Sequence, residues 1–390
     1  MEPSFLEKEK QLFFHTYNRI PLEISRAEGV HLIDKNDNRY LDLFSGLAVN
    51  ALGYSHPKII SAVMQQMTKF SHLSNGYISD IQLELAELLI SHTRMSKAFF
   101  TNSGTEAIEG TIKLIRKKFG PDKKIYSLNN SFHGRTYGAL SLTNRAKYQK
   151  GFEPFLPNID KIGFNNVEDL KNKIDSNTAA VFIEFIQGEG GVNIVSNDFI
   201  EELKKLRKKY EFAIVADEIQ TGIGRTGKKF GFSDFDISPD IIVLAKALGG
   251  GLPLGAFLAT SKFDDIFKAG NHGTTFGGNP VCCAAGKVVL TEVFENGLME
   301  HVKIEGEYLI SQLNELAKLF PEKISKIRGK GFMVGIELLE PGMPYVSKMR
   351  ERRVLINCTN SNVIRLLPPL IISKNDIDFF LFNLHELLKV

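Results

Sequence analysis

Apolar positions change their spacing several times along the chain. Between about residue 18 and residue 50 they alternate with polar ones around turn residues: Val30-His31-Leu32-Ile33, a polar run from Asp34 to Arg39, then Tyr40-Leu41-Asp42-Leu43. That alternation predicts a small β meander leading into Gly46 and Gly53. Helical spacing follows in Pro57 to Phe70 and in Ile81 to Ile90. From about 97 to 260, short apolar runs alternate with helical segments; the runs are Ala98 to Phe100, Lys124 to Tyr126, Ala180 to Ile183, Ala213 to Ala216 and Ile241 to Leu244. This is the pattern of a mostly parallel α/β sheet, which binds ligands at the carboxyl ends of its strands. After about 290 come a helix, the strands Met333 to Glu337 and Val354 to Ile356, and a closing amphipathic helix from about Asn375. We expect a large domain over 56–285 and a smaller α+β domain over 286–390, to which residues 1–55 contribute.

One strand delivers unusual chemistry. Ile241 to Leu244 reads as buried, and Lys246 follows it after Ala245, shortly before the glycines 249–251. Burying an amine is costly unless it is paired, neutral or covalently used, and desolvation lowers its pKa toward nucleophilic, Schiff-base chemistry. The plainer alternative is a lysine just past the strand whose ammonium reaches water.

Composition narrows the class. A chain of 390 residues has room for two domains, and 43% hydrophobic with 24% charged residues is ordinary for a water-soluble globular protein. The net charge of +3 is too small to imply nucleic acid, and the basic run Lys204 to Lys209 falls on a helix whose apolar side is Phe199, Ile200, Leu203, Leu206 and Tyr210. Cys282, Cys283 and Cys358 form neither a disulfide framework nor a metal-ligand spacing, so no metal is expected. Residues 1–10 lack the apolar core of a signal peptide and no stretch reaches bilayer-spanning length; a cytoplasmic location without membrane association is the expectation.

Other segments gain meaning together. Ser103 and Glu106 have capping-box spacing before a helix bearing Ile108, Ile112 and Ile115; the same turn, with Gly104 and Thr105, offers free amides and hydroxyls to a phosphate. Asp217 and Glu218 stand where an apolar strand ends. Gly222 to Lys228 fits a P-loop up to its lysine, but Lys229 occupies the magnesium-binding Ser/Thr position and no convincing helix follows. Phe132 could cover a planar ligand and Arg135 could grip a carboxylate. His272 to Pro280 is a glycine-rich loop with two hydroxyls, Thr274 and Thr275.

In this order the motifs resemble a class III aminotransferase, a pyridoxal-phosphate enzyme of fold type I, and within it the acetylornithine and succinylornithine aminotransferases. The likeness runs from Ile20-Pro21-Leu22 to the segment Val363 to Leu370. It implies that Lys246 bonds the cofactor covalently and then moves the proton, and that Asp217 pairs with the pyridine nitrogen. It further implies that Gln220 bonds the phenolic oxygen, that Phe132 stacks on the ring, and that Gly104 and Thr105 hold the phosphate with Thr275 of a second subunit in a homodimer. Arg135 would take the α-carboxylate of N-acetylornithine, with Thr274 lining the same pocket, and Arg365 that of 2-oxoglutarate or glutamate. Glu189 would gate Arg365. Gly46 and His133, where ornithine aminotransferase has Tyr and Trp, would favour an N-acylated donor. Phe185 stands where the family usually has proline. Succinylornithine, carrier-bound lysine-pathway intermediates, ornithine and 4-aminobutyrate are alternative donors; a P-loop NTPase or a non-catalytic interaction protein would be different classes altogether.

Overall fold

The computed structural model describes residues 5–389. Its centre is a seven-stranded sheet in the spatial order Lys97–Thr101, Gly255–Ala259, Ile241–Leu244, Ala213–Asp217, Thr178–Ile183, Lys124–Leu128, Ile159–Ile162. The last five strands are parallel to one another. Gly255–Ala259 runs antiparallel to both of its neighbours. The strand Thr178–Ile183 is buried along its whole length, as are Ala213–Asp217 and Ile241–Leu244, because helices cover both faces. The five expected apolar runs of this sheet all lie in strands; four extend one or two residues further at an end, and Ile241–Leu244 keeps its bounds. Gly255–Ala259 is an addition to the expected set, and so is Ile159–Ile162.

The expected helices are present as Pro57–Lys69, Asp80–Ser91, Asn197–Tyr210 and Lys374–Leu388. Asn197–Tyr210 buries Phe199, Ile200, Leu203 and Leu206, leaving its basic run on the outer side. The helix Pro280–Phe294 packs against Pro57–Lys69 and Asp80–Ser91, and its buried face joins the core formed by Leu85, Leu89, Leu254 and Val289.

Two smaller sheets position the rest of the site. Ile24–Glu28, His31–Asp34 and Arg39–Asp42 form the meander, and Val354–Leu355 adds to its edge in parallel, so the two ends of the chain share one sheet. The other sheet has the order Ile324–Lys330, Met333–Leu338, Val363–Leu366, Asn357–Thr359. It pairs Arg365 with Gly335 on one side and with Asn357 on the other. Phe185, the departure from proline, is buried against Phe235, with ring centroids 5.4 Å apart, and against Phe232. It joins a core cluster between the sheet and the helix Asn197–Tyr210.

Candidate active site

Three neighbouring parallel strands end side by side on ionisable groups. Thr178–Ile183 runs into Glu184, Ala213–Asp217 ends on Asp217, and Ile241–Leu244 leads through Ala245 to Lys246. Lys246 opens a short 3-10 turn with φ of 47°, a left-handed conformation that costs a non-glycine residue on the order of 1 kcal/mol. Strain of this kind persists where surrounding packing holds the side chain to one direction. Burial lowers the Lys246 amine to about 8, with Glu189, Arg365 and Asp217 contributing smaller electrostatic effects of both signs. A substantial neutral fraction at neutral pH is what a nucleophilic amine requires. Lys246 therefore lines a cavity rather than extending to bulk water.

Asp217 is fixed from two sides. Its Oδ1 accepts the Ile219 amide at 3.1 Å and its Oδ2 lies 2.7 Å from Nδ1 of His133. His133 is fully buried. Burial acts to lower its pKa, but the hydrogen bond and charge of Asp217 outweigh it and the net shift is upward. Glu184 beside them accepts the amides of Phe132 at 2.9 Å and Gly188 at 3.3 Å; burial raises its pKa. The His133 ring, which also lines the cavity, is thereby tied to Asp217, a contact added to the expectation drawn from its difference from tryptophan. The role of His133 escaped sequence reasoning because 84 positions separate it from Asp217.

The helix Gly104–Phe119 starts at the same cavity. Ser103 accepts the Glu106 amide at 3.3 Å, while Glu106 takes the amide and the side chain of Asn102, each at 2.8 Å, so only half of the expected capping box forms. A Cβ on Gly104 would lie 2.6 Å from Ile219 Cδ1, so a larger residue here would make the Ile219 side chain shift. The first amides of a helix have no intrahelical acceptor, and with the helix dipole they attract an anion.

The cavity measures about 430 Å³. Gly104, Thr105, Phe132, Asp217, Gln220 and Lys246 line it together with Arg135 and Glu189. Arg365 stands behind Glu189: its Nη1 donates to Glu189 Oε1 at 2.7 Å and to Gln220 Oε1 at 3.4 Å, and its Nη2 donates to Asn357 Oδ1 at 2.8 Å across the strand pair. Burial opposes ionisation of Glu189, but the Arg365 charge and hydrogen bond prevail and hold its carboxyl below the usual range. Thr274 and Thr275 do not line the cavity of their own chain. Thr274 Oγ1 accepts Asn102 Nδ2 at 3.3 Å and the Gly277 amide at 3.2 Å, and Thr275 is exposed.

The P-loop-like segment folds differently from a nucleotide cradle. Arg225 is fully buried and donates to the carbonyls of Phe332, at 3.3 Å, and Pro368. Lys228 pairs with Asp234 at 3.0 Å, and Glu218 accepts the amides of Gly231 at 2.7 Å and Phe232 at 2.9 Å. A larger groove of about 860 Å³ lies at the amino ends of the strands, where Arg207 and Lys262 are already paired with Asp240.

Comparison with known proteins decides the family. The family model described as aminotransferase class III matches residues 13–388. The chain belongs to the class III aminotransferases. Among curated members of that family, the acetylornithine aminotransferase of Aquifex aeolicus is 45% identical over 379 residues, which are 96% of this chain and 99% of the relative. That of Caldanaerobacter subterraneus is 42% identical, covering 98% of each. Among solved class III structures, ornithine aminotransferase from Toxoplasma gondii superposes with a TM-score of 0.94 at 28% identity, covering 99% of this chain and 94% of that one. An omega transaminase from Pseudomonas jessenii in complex with PMP gives 0.91 at 28% identity, covering 98% and 96%. As a class III aminotransferase the chain is a pyridoxal-phosphate enzyme, and the cavity fits that cofactor: an amine that can be neutral, a buried carboxylate for a ring nitrogen and a helix N-terminus for a phosphate.

Proposed function

We propose that the enzyme transfers the δ-amino group of N2-acetyl-L-ornithine to 2-oxoglutarate, giving N-acetyl-L-glutamate 5-semialdehyde and L-glutamate, as a cytoplasmic step of arginine biosynthesis. The observation that carries this reading is the pairing of Arg365 with Glu189 at 2.7 Å, while Arg135, on the same cavity, has no carboxylate partner among the described residues. A donor with one carboxylate is served by Arg135 alone and leaves the inner pair intact. A dicarboxylate acceptor uses Arg135 at one end and displaces Glu189 from Arg365 at the other.

Pyridoxal phosphate supplies an electron sink for the carbon that loses its proton. Lys246 would hold the cofactor and, through its amine, would move the proton at the substrate carbon. Asp217, oriented by its contact with His133, would pair with the ring nitrogen. Gln220 would reach the phenolic oxygen, Phe132 would cover the ring face, and Gly104 and Thr105 would take the phosphate. Thr275 completes the phosphate site from a second copy of the chain, which makes the enzyme a homodimer. Thr274 travels on the same loop, so we assign it to the partner's substrate pocket rather than to its own. We further propose domain limits near residues 55 and 285.

Gly46, with φ of 64°, stands three residues before Val49 on the cavity wall, and glycine there in place of ornithine aminotransferase's tyrosine would leave room beside the donor. That room suits an acyl group on the donor. Steady-state rates with 2-oxoglutarate and a panel of acetylornithine, succinylornithine, ornithine and 4-aminobutyrate test the reading. The expected order puts the acylated ornithines first; a clear preference for ornithine or 4-aminobutyrate would overturn it.

A further inference from the structure

Arg135 is exposed at the cavity, and among the described residues it makes neither an ion pair nor a hydrogen bond. An arginine in that state samples many rotamers unless something else holds it. Here its guanidinium lies 3.9 Å from the ring centroid of Tyr148 and 5.6 Å from that of Phe132. The Phe132 ring meets Tyr148 edge to face, with centroids 5.6 Å apart and planes at 78°. Tyr148 belongs to the short helix Ala146–Gln149, whose N-cap residue, Arg145, donates to the Glu189 carbonyl and, at 2.9 Å, to Asn360. Thr359 donates to the same Glu189 carbonyl at 2.8 Å. One turn of chain therefore touches both Arg135 and the backbone of Glu189.

We infer that Tyr148 is the positioning residue for Arg135: its ring face holds the guanidinium over the cavity without consuming any of its hydrogen-bond donors, so all remain for the donor's carboxylate. A carboxylate partner would hold the arginine equally well but would neutralise it and compete with substrate. An aromatic face attracts the cation and leaves its fork of N–H groups free. Phe132, between Tyr148 and the cofactor space, fixes the ring from the other side. The inference rests on the reading of Arg135 as the receiver of the donor carboxylate.

The test compares two donors that differ only in that carboxylate, N2-acetyl-L-ornithine and N-(4-aminobutyl)acetamide, on the holoenzyme. In Tyr148→Leu the kcat/KM for acetylornithine is expected to fall about tenfold, within the range from about twofold to about thirtyfold that loss of a cation–π contact produces. The value for the carboxylate-free amine should stay within twofold, and Tyr148→Phe should match the parent on both. Binding of N-acetyl-L-norvaline, which carries the carboxylate but no transferable amine, should weaken by the same factor in calorimetry. Should Tyr148→Leu not fold, Tyr148→Met carries the same comparison. Equal losses on both donors, or unchanged binding of N-acetyl-L-norvaline, would overturn the role of Tyr148. Arg135→Ala separates the two readings: if it too fails to distinguish the donors, the assignment of Arg135 falls first.

Discussion

Arg135 lines the cavity and Arg365 stands behind Glu189 on its wall, and the two arginines are in opposite conditions. Arg365 is buried to 2% exposure, lies in a strand whose cross-strand partner Asn357 orients it, and is already neutralised by Glu189. Arg135 is exposed, sits in a loop, and is held by aromatic rings with its charge uncompensated. On the proposed reading, this difference lets a single site serve substrates with one and with two carboxylates. The bare cation is ready for either. The buried one cannot be left unpaired without a large desolvation cost, so it carries its own carboxylate until a ligand's replaces it.

Removing the inner arginine should produce the largest asymmetry. Arg365→Ala is expected to lower kcat/KM for 2-oxoglutarate by about 100-fold or more, the scale of losing a desolvated charge-assisted pair, and to leave the acetylornithine half-reaction within a few-fold. Stopped-flow measurement of the two half-reactions separately checks this. Similar losses in both would erase the distinction between the arginines.

Glu189→Ala sharpens the same comparison from the other side. With the gate gone, Arg365 is open at all times, so glutamate should compete better as donor while acetylornithine loses its advantage. The ratio of their kcat/KM values is expected to shift about tenfold toward glutamate. An unchanged ratio would mean that Glu189 only balances charge.

The smallest effect concerns Lys246, whose pKa feels both members of the pair. Uptake of pyridoxal phosphate by the apoenzyme needs the neutral amine, so its rate should rise with pH and level off above about 8. Glu189 raises this pKa and Arg365 lowers it, so the midpoint should move down in Glu189→Ala and up in Arg365→Ala. Rates of growth of the visible band across a pH series provide the readout. As a linkage statement, the lowered pKa means that a charged Lys246 destabilises the native apoenzyme; stability is lost as pH falls through about 8.

Much of the fold was legible because its signals are local. Buried parallel strands read as continuous apolar runs, and Lys246 and Asp217 stood out because a charge at the end of such a run needs a reason. Gly255–Ala259 escaped notice because nothing in a five-residue apolar run says that it will insert antiparallel between two distant strands. The pairs that tune the site are long-range: Glu189 and Arg365 are 176 positions apart, and they were linked only through family likeness. His133 was considered only for substrate choice, and its contact with Asp217 was not anticipated. Tyr148 gave no signal at all, since a half-buried tyrosine in a four-residue helix has neither period nor motif. Thr274 and Thr275 stood out only as hydroxyls in a glycine-rich loop, and the roles expected for them came from family likeness.

The central claim is that one cavity around Lys246 accepts acetylornithine as donor and 2-oxoglutarate as acceptor in turn. Adding N2-acetyl-L-ornithine alone to the yellow holoenzyme, then 2-oxoglutarate, while following the visible absorption band, tests it directly. The account predicts that the donor bleaches the band stoichiometrically and that the acceptor restores it with release of one glutamate. A band that acetylornithine leaves untouched, while ornithine or 4-aminobutyrate bleaches it, would contradict the account.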